Sequence, residues 1–433
     1  MGGTEEVYGG GAFEFDPTYG IKENYGESFL GIDYRFPASQ FGFPTDPTTA
    51  NQLQAVSKKI STGTKVIEFS GLGITGGPAL AHLEKIPKQH LEEVRRLKEL
   101  TNIELTFHGP LVEATGFSRQ GWQENDRERA EREMFTAVKR AHELDPKGNI
   151  IVTFHSSNGL PDPVLKEFNE QTKKEEVKEF VTVDDYSGQF NRVDTKTKFF
   201  ENIDKSNPDL YLKKRNKEGW DGALQSVSFD ISRGIQNILE VTERQPTDTE
   251  EIEKAKGSIL EIYGKAGTPE GKKILQEFDP QTRKWIENRM NALTFGELNL
   301  RKAYQNFQEL CERAYHAGDA QQKKKLIEFR DEIRPKLDYI KDPSKINLLA
   351  EGLSEGINVL KSVEPQLERP LREWAIDKAS TTFGNVAFNS YKEFKSNDSS
   401  PIISIENPPA GSGLSRADDL RDLVKMAREK FIQ

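Results

Sequence analysis

The stretch IELTFHGP (103–110) decides how this chain folds. A short run rich in β-formers ends on a histidine, His108, and a Gly-Pro pair stops it at once. Two other stretches repeat the pattern: NIIVTFHSS (149–157) ends its run on His155, and PIISIENPPAG (401–411) ends on Glu406. Each run delivers a metal-competent side chain at its C-terminal tip. A parallel α/β barrel builds its active site this way, with the reactive groups on the C-terminal face of the strands.

The chain around these runs supplies alternating helices. PKQHLEEVRRLKEL (87–100) carries Leu91, Val94, Leu97 and Leu100 at helical spacing, and TKVIEFSGLG (64–73) before it reads as a strand ending in a Gly-rich turn. A helix is expected over 126–144, with Asn125 and Glu128 as a capping box. SFLGIDYRF (28–36) is the expected first strand, and Asp46-Pro47 is expected to open a helix through NQLQAVSKKI. Strand and helix thus alternate with short connections, the signature of a parallel sheet with right-handed crossovers.

After about Leu160 the alternation stops. The stretch KKEEVKEFVTVDDYSGQFNRVDTKTKFF suggests a small hairpin. The segments beyond Asp221 read as amphipathic helices, too many residues for a connection and therefore a subdomain. The rhythm returns with a helix over 370–394, the strand PIISIE and a last helix, ADDLRDLVKMAREKF. The expected organisation is an N-terminal arm (1–27), barrel βα units one to four (28–160), a mainly helical insertion (161–369), and strand five with its helix (370–433).

Bulk properties narrow the function. A net charge of -9 argues against a protein that coats nucleic acid generally, without excluding a local basic groove. The single cysteine, Cys311, excludes an intramolecular disulfide and lies in a helical pattern, QNFQELCERAYH, where packing is expected. No run approaches a membrane span and the start lacks a signal peptide's pattern, so no membrane partner and a cytoplasmic location are expected. GLGITGG (71–77) lacks the Lys-Ser/Thr of a phosphate loop and reads as a plain βα turn.

The motifs TFHGP, VTFHSS and SIENPPAGSG resemble those of the endonuclease IV-like, xylose isomerase-like TIM-barrel superfamily, over about residues 28–160 and 370–433. The resemblance implies a partial TIM (β/α) barrel of about five βα units, with the helical insertion after strand four. It implies that His108, His155 and Glu406 are metal ligands, with Glu406 able to bridge two ions. Zinc is the first expectation, and manganese, magnesium or iron the alternatives. Asp33 and Glu68, on the first two strands, are candidates for orienting a ligand histidine. The family's remaining ligands come from strands six to eight. A missing C-terminal segment or a second chain is therefore expected to complete the barrel.

Three functions stay open at this point. One is phosphodiester hydrolysis at abasic sites in DNA, the chemistry of a DNA-repair endonuclease. Another is metal-dependent isomerisation or epimerisation of a small sugar, favoured slightly by the acidic balance. It is also favoured by Leu111, which stands where the family's nucleases often carry an aromatic residue. The third is a non-catalytic barrel whose helical insertion is an interaction module. No catalytic acid or base is assigned.

Overall fold

A computed structural model describes residues 41–432, apart from 48, 50, 71–82, 84–85, 195–207 and 410. The expected arm, the strand at 28–36 and its Asp33, the turn 71–77 and His82 lie outside the described residues.

The protein is α/β, built on a mainly parallel sheet. Five strands, β1 (Gly42–Pro44), β2 (Val66–Ser70), β3 (Glu104–His108), β6 (Ile151–His155) and β11 (Ile402–Glu406), pair in that order, every pair parallel. Their order in space is their order in the chain. The strands alternate strictly. Ile67, Phe69, Leu105, Phe107, Val152 and Phe154 point to one face and are buried. Glu68, Ser70, Thr106, His108, Thr153, His155, Ser404 and Glu406 share the other face, as the two-residue side-chain period requires.

The helices of this unit are α1 (Gln52–Ser61), α2 (Lys88–Thr101), α3 (Glu124–Leu144), α10 (Leu371–Phe394) and α11 (Ala417–Ile432). Val56, Val94, Met134, Val138, Phe383 and Leu423 from these helices share one core with Phe69, Phe107 and Phe154. The helices therefore cover the apolar face.

Three sequence expectations need correction. The edge strand is the three-residue segment Gly42–Pro44, which lies in a stretch read as loop. The first helix begins at Gln52, not at Asp46-Pro47. Its N-cap is Asn51, which accepts from Gln54 N, while the Gln52 side chain turns back onto the carbonyls of Asp46 and Thr49 and holds 46–51 out of the helix. Helix α3 starts at Glu124, so Asn125 is already inside it and cannot cap. Glu124 and Asp126 instead place negative charge at the positive end of the helix dipole.

The insertion opens with more β-structure than a hairpin. Strands β7 (Val164–Asn169), β8 (Lys174–Asp184) and β9 (Gln189–Asp194) are antiparallel, and β10 (Glu368–Pro370) joins them. β7 and β10 share one edge of β8, and β9 takes the other. The chain therefore leaves for the helices and returns from them through one small sheet. Between lie α4 (Pro208–Thr242), α5 (Glu250–Gly264), α6 (Pro269–Gln276), α7 (Pro280–Ala317), α8 (Ala320–Leu337) and α9 (Ile346–Leu360). They hold their own core, which includes Trp220, Ile259, Leu293, Phe307 and Leu353.

The two longest helices, α4 and α7, are antiparallel, as the Asp230–Lys302 and Glu240–Arg289 ion pairs show. Gly234 and Gly296 let them approach: a Cβ on Gly234 would lie 2.6 Å from Leu300 Cγ. Cys311 packs against this core, and burial pushes its thiol up to about 12. No helix among the described residues is long and apolar enough to cross a membrane.

Candidate metal centre

Strand register assembles the centre. Glu406 on β11 pairs directly with His155 on β6, and His108 on β3 pairs with Thr153, one side-chain step below His155. All three side chains rise from the polar face at the strand tips. His108 Nε2 lies 2.8 Å from Glu406 Oε1, and His155 Nδ1 lies 3.4 Å from the same oxygen. The two imidazoles stand 5.1 Å apart, tilted by 54°. One ligand atom from each residue fits within a 4.8 Å span. Among the described residues this is the one such group of His, Cys, Asp and Glu.

The backbone orients both rings. His108 Nδ1 is 3.0 Å from the carbonyl of Gly109, and His155 Nδ1 is 2.6 Å from the carbonyl of Asn407. A carbonyl only accepts, so each Nδ1 bears the proton and each Nε2 keeps its lone pair for an ion. Metal-binding histidines characteristically hold the second nitrogen in this way. With zinc–ligand bonds of roughly 2.0–2.1 Å, tetrahedral ligands sit about 3.3–3.4 Å apart. The observed contacts bracket that edge. The donor set of two imidazoles and one carboxylate is that of zinc and its borderline neighbours.

Burial favours an ordered site. His108 is buried and His155 largely so, whereas 40% of the Glu406 side chain faces solvent. The sequence motifs explain part of this. Gly109, just past His108, packs so tightly that a Cβ would lie 2.3 Å from the Phe154 ring. Only glycine lets β3 end against β6 there.

The candidate second-shell residues do not join the group. Asp33 lies outside the described residues. Glu68 faces Thr106, two residues down β2 from Ser70, and Ser70 is the partner of His108. Two residues of strand are roughly 6.6 Å. Backbone carbonyls fill the orienting role instead. Leu111 follows His108 on an exposed loop.

The loops beyond the tips form a network that sequence reasoning missed. Ser156 Oγ donates to the carbonyl of Leu414 at 3.0 Å and Ser157 Oγ to that of Gly413 at 2.5 Å. Ser412 Oγ accepts from Gly159 N at 3.0 Å, and Gly413 N donates to the carbonyl of Leu160 at 2.6 Å. The small polar residues of VTFHSS and AGSG were the available signal. Glu113, on the loop after β3, accepts from Thr115 and from the backbone of Asn158. Burial pushes its carboxyl above the usual carboxylate range, and these hydrogen bonds oppose the shift without cancelling it.

The remaining histidines stand apart. His142, expected at the surface, is partly buried, stacked on Phe394 and bonded to Ser399. A cavity of about 900 Å³ between the start of α4 and residues 364–373 is lined by none of the three tip residues. No protein-family model matches the chain, and comparison with curated proteins and with solved structures finds no match.

Proposed function

We propose that this chain is the five-stranded wall of a TIM-type barrel and carries half of a divalent-metal centre for phosphodiester hydrolysis, of the endonuclease IV-like kind, acting at abasic sites in DNA. The observation that carries the reading is the convergence of His108, His155 and Glu406 from three strand tips on one sheet face. The topology supports it. In an open doubly wound sheet the strand order reverses and helices cover both faces. Here the order never reverses and the helices share the core of a single face.

His108 and His155 would hold the ion through Nε2, and Glu406 would place a carboxylate oxygen between them. A bound zinc ion supplies Lewis acidity that stabilises charge on phosphoryl oxygens. The protein's own part is to fix the ligands before the ion arrives, which the Gly109 and Asn407 carbonyls do for the two rings. Strands supplying the opposite side of the centre would come from a further segment of the polypeptide or from a second chain, at the edges formed by β1 and β11.

A metal-dependent sugar isomerase is the second reading. It is favoured by exposed Leu111, which offers no aromatic ring beside His108 to meet a nucleic-acid backbone. A duplex with one abasic site separates the two. The zinc-loaded protein is expected to nick it, with the nicking lost in His155→Ala. Failure of the metal-loaded wild type to nick, together with interconversion of an aldose and its ketose, would transfer the assignment to the isomerase.

A further inference from the structure

Five residues after His108 the chain turns a carboxylate inward. Glu113 Oε1 accepts from Thr115 N at 3.1 Å and from Thr115 Oγ1 at 2.7 Å, and Glu113 Oε2 accepts from Asn158 N at 2.7 Å. Asn158 lies three residues after His155. The carboxylate thus ties the loop that leaves one ligand histidine to the loop that leaves the other. Asn158 Nδ2 reinforces the tie by donating to the carbonyl of Leu111 at 3.3 Å.

The loop is anchored at its far end as well. Thr382 Oγ1 on α10 donates to the carbonyl of Ala114 at 2.7 Å, and Trp122 Nε1 donates to that of Thr115 at 2.9 Å. Gly116, at φ +80, passes so close to α3 that a Cβ would lie 2.6 Å from Arg127 N. The β6 loop is in turn bonded to the β11 loop through Ser156, Ser157, Gly159 and Leu160. Every ligand tip therefore continues into a loop fixed to its neighbour, and Glu113 alone of these contacts joins the His108 loop to the His155 loop with a charged group.

We propose that Glu113 is a positioning residue for the metal centre: it touches no ligand, and it sets the spacing of His108 and His155 by locking the two loops that follow them. The inference rests on the metal-centre reading above. Both carboxylate oxygens are needed, since three donors converge on them. A glutamine offers one acceptor oxygen, and its amide would turn N–H groups toward Thr115 or Asn158.

Co²⁺, followed by its visible absorption and displaced by Zn²⁺, is the probe. Loss of an outer-sphere partner typically weakens a metal site about 10–100-fold. Glu113→Gln is expected to weaken Co²⁺ binding by about 10-fold or more and to alter the band shape, with Glu113→Asp intermediate. Ile259→Ala, in the separate core of the helical insertion, controls for stability: it should lower the melting temperature and leave Co²⁺ affinity unchanged. If Glu113→Gln does not fold, Glu113→Asp decides in the same way. A folded Glu113 variant with wild-type affinity and spectrum overturns the positioning role alone. A wild type that takes up no Co²⁺ overturns the metal centre itself and the positioning role with it.

Discussion

Replacing Glu406 with alanine should abolish tight metal binding while leaving the fold intact. Its Oε1 is the one oxygen that approaches both histidines, at 2.8 and 3.4 Å. An outer-sphere partner alone accounts for about 10–100-fold in metal affinity, so loss of a direct carboxylate ligand should cost at least about 100-fold. Stability should respond differently. The Glu406 side chain is 40% exposed and its pairing with His108 is screened by water, so the folding free energy should change by less than about 1 kcal/mol. Dialysis against Zn²⁺ with elemental analysis, paired with urea unfolding, reads both quantities. Unchanged zinc content, or a collapse of stability, would show that Glu406 serves the sheet and not an ion.

Trp374→Ala should produce the largest loss of stability in the sheet unit. Trp374 is fully buried on α10, and the ring stands edge-on to Trp122 and Phe190 at 5.9 and 5.3 Å. Its Nε1 donates to Asp185 Oδ1 at 2.7 Å. The side chain therefore pins α10 to the turn between β8 and β9, where the insertion meets the parallel sheet. Truncating a buried tryptophan costs about 3–5 kcal/mol. Asp185 keeps Arg369 and Lys378 beside it, so no bare charge is left behind. Trp374→Phe should retain most of the packing and lose only the hydrogen bond, worth about 1 kcal/mol. Urea unfolding followed by circular dichroism measures the difference. A loss below about 1 kcal/mol for the alanine variant would mean that the insertion and the sheet do not depend on this contact.

The parts of the fold legible in the sequence are those with an uninterrupted period. ELTFH and IVTFH alternate over a buried sheet face, and α2 and α3 carry their apolar residues on one stripe. The tip ligands were legible for the same reason: a strand-end residue on the polar face is fixed by counting in twos from the core. Short elements were not. Gly42–Pro44 contains the two residues that usually end strands, and it forms because β2 offers a parallel partner. Glu368–Pro370 pairs with Asp184–Thr182, a long-range choice that no local pattern encodes.

The charge-rich strands β7 and β8 looked like a solvated stretch because only part of β8, from Phe180 to Val183, is buried. At the centre, the orienting groups proved to be main-chain carbonyls and Glu113. Carbonyls have no signature in sequence, and the role of Glu113 depends on a backbone N–H 45 residues away.

The central claim is that the three strand tips form one metal site. Co²⁺ titration of the purified wild type beside His108→Ala, His155→Ala and Glu406→Ala tests it most directly. The geometry predicts stoichiometric uptake by the wild type, with the bound-ion spectrum lost in each of the three variants while circular dichroism stays unchanged. A wild type that binds no Co²⁺, or three variants that bind it as the wild type does, would contradict it.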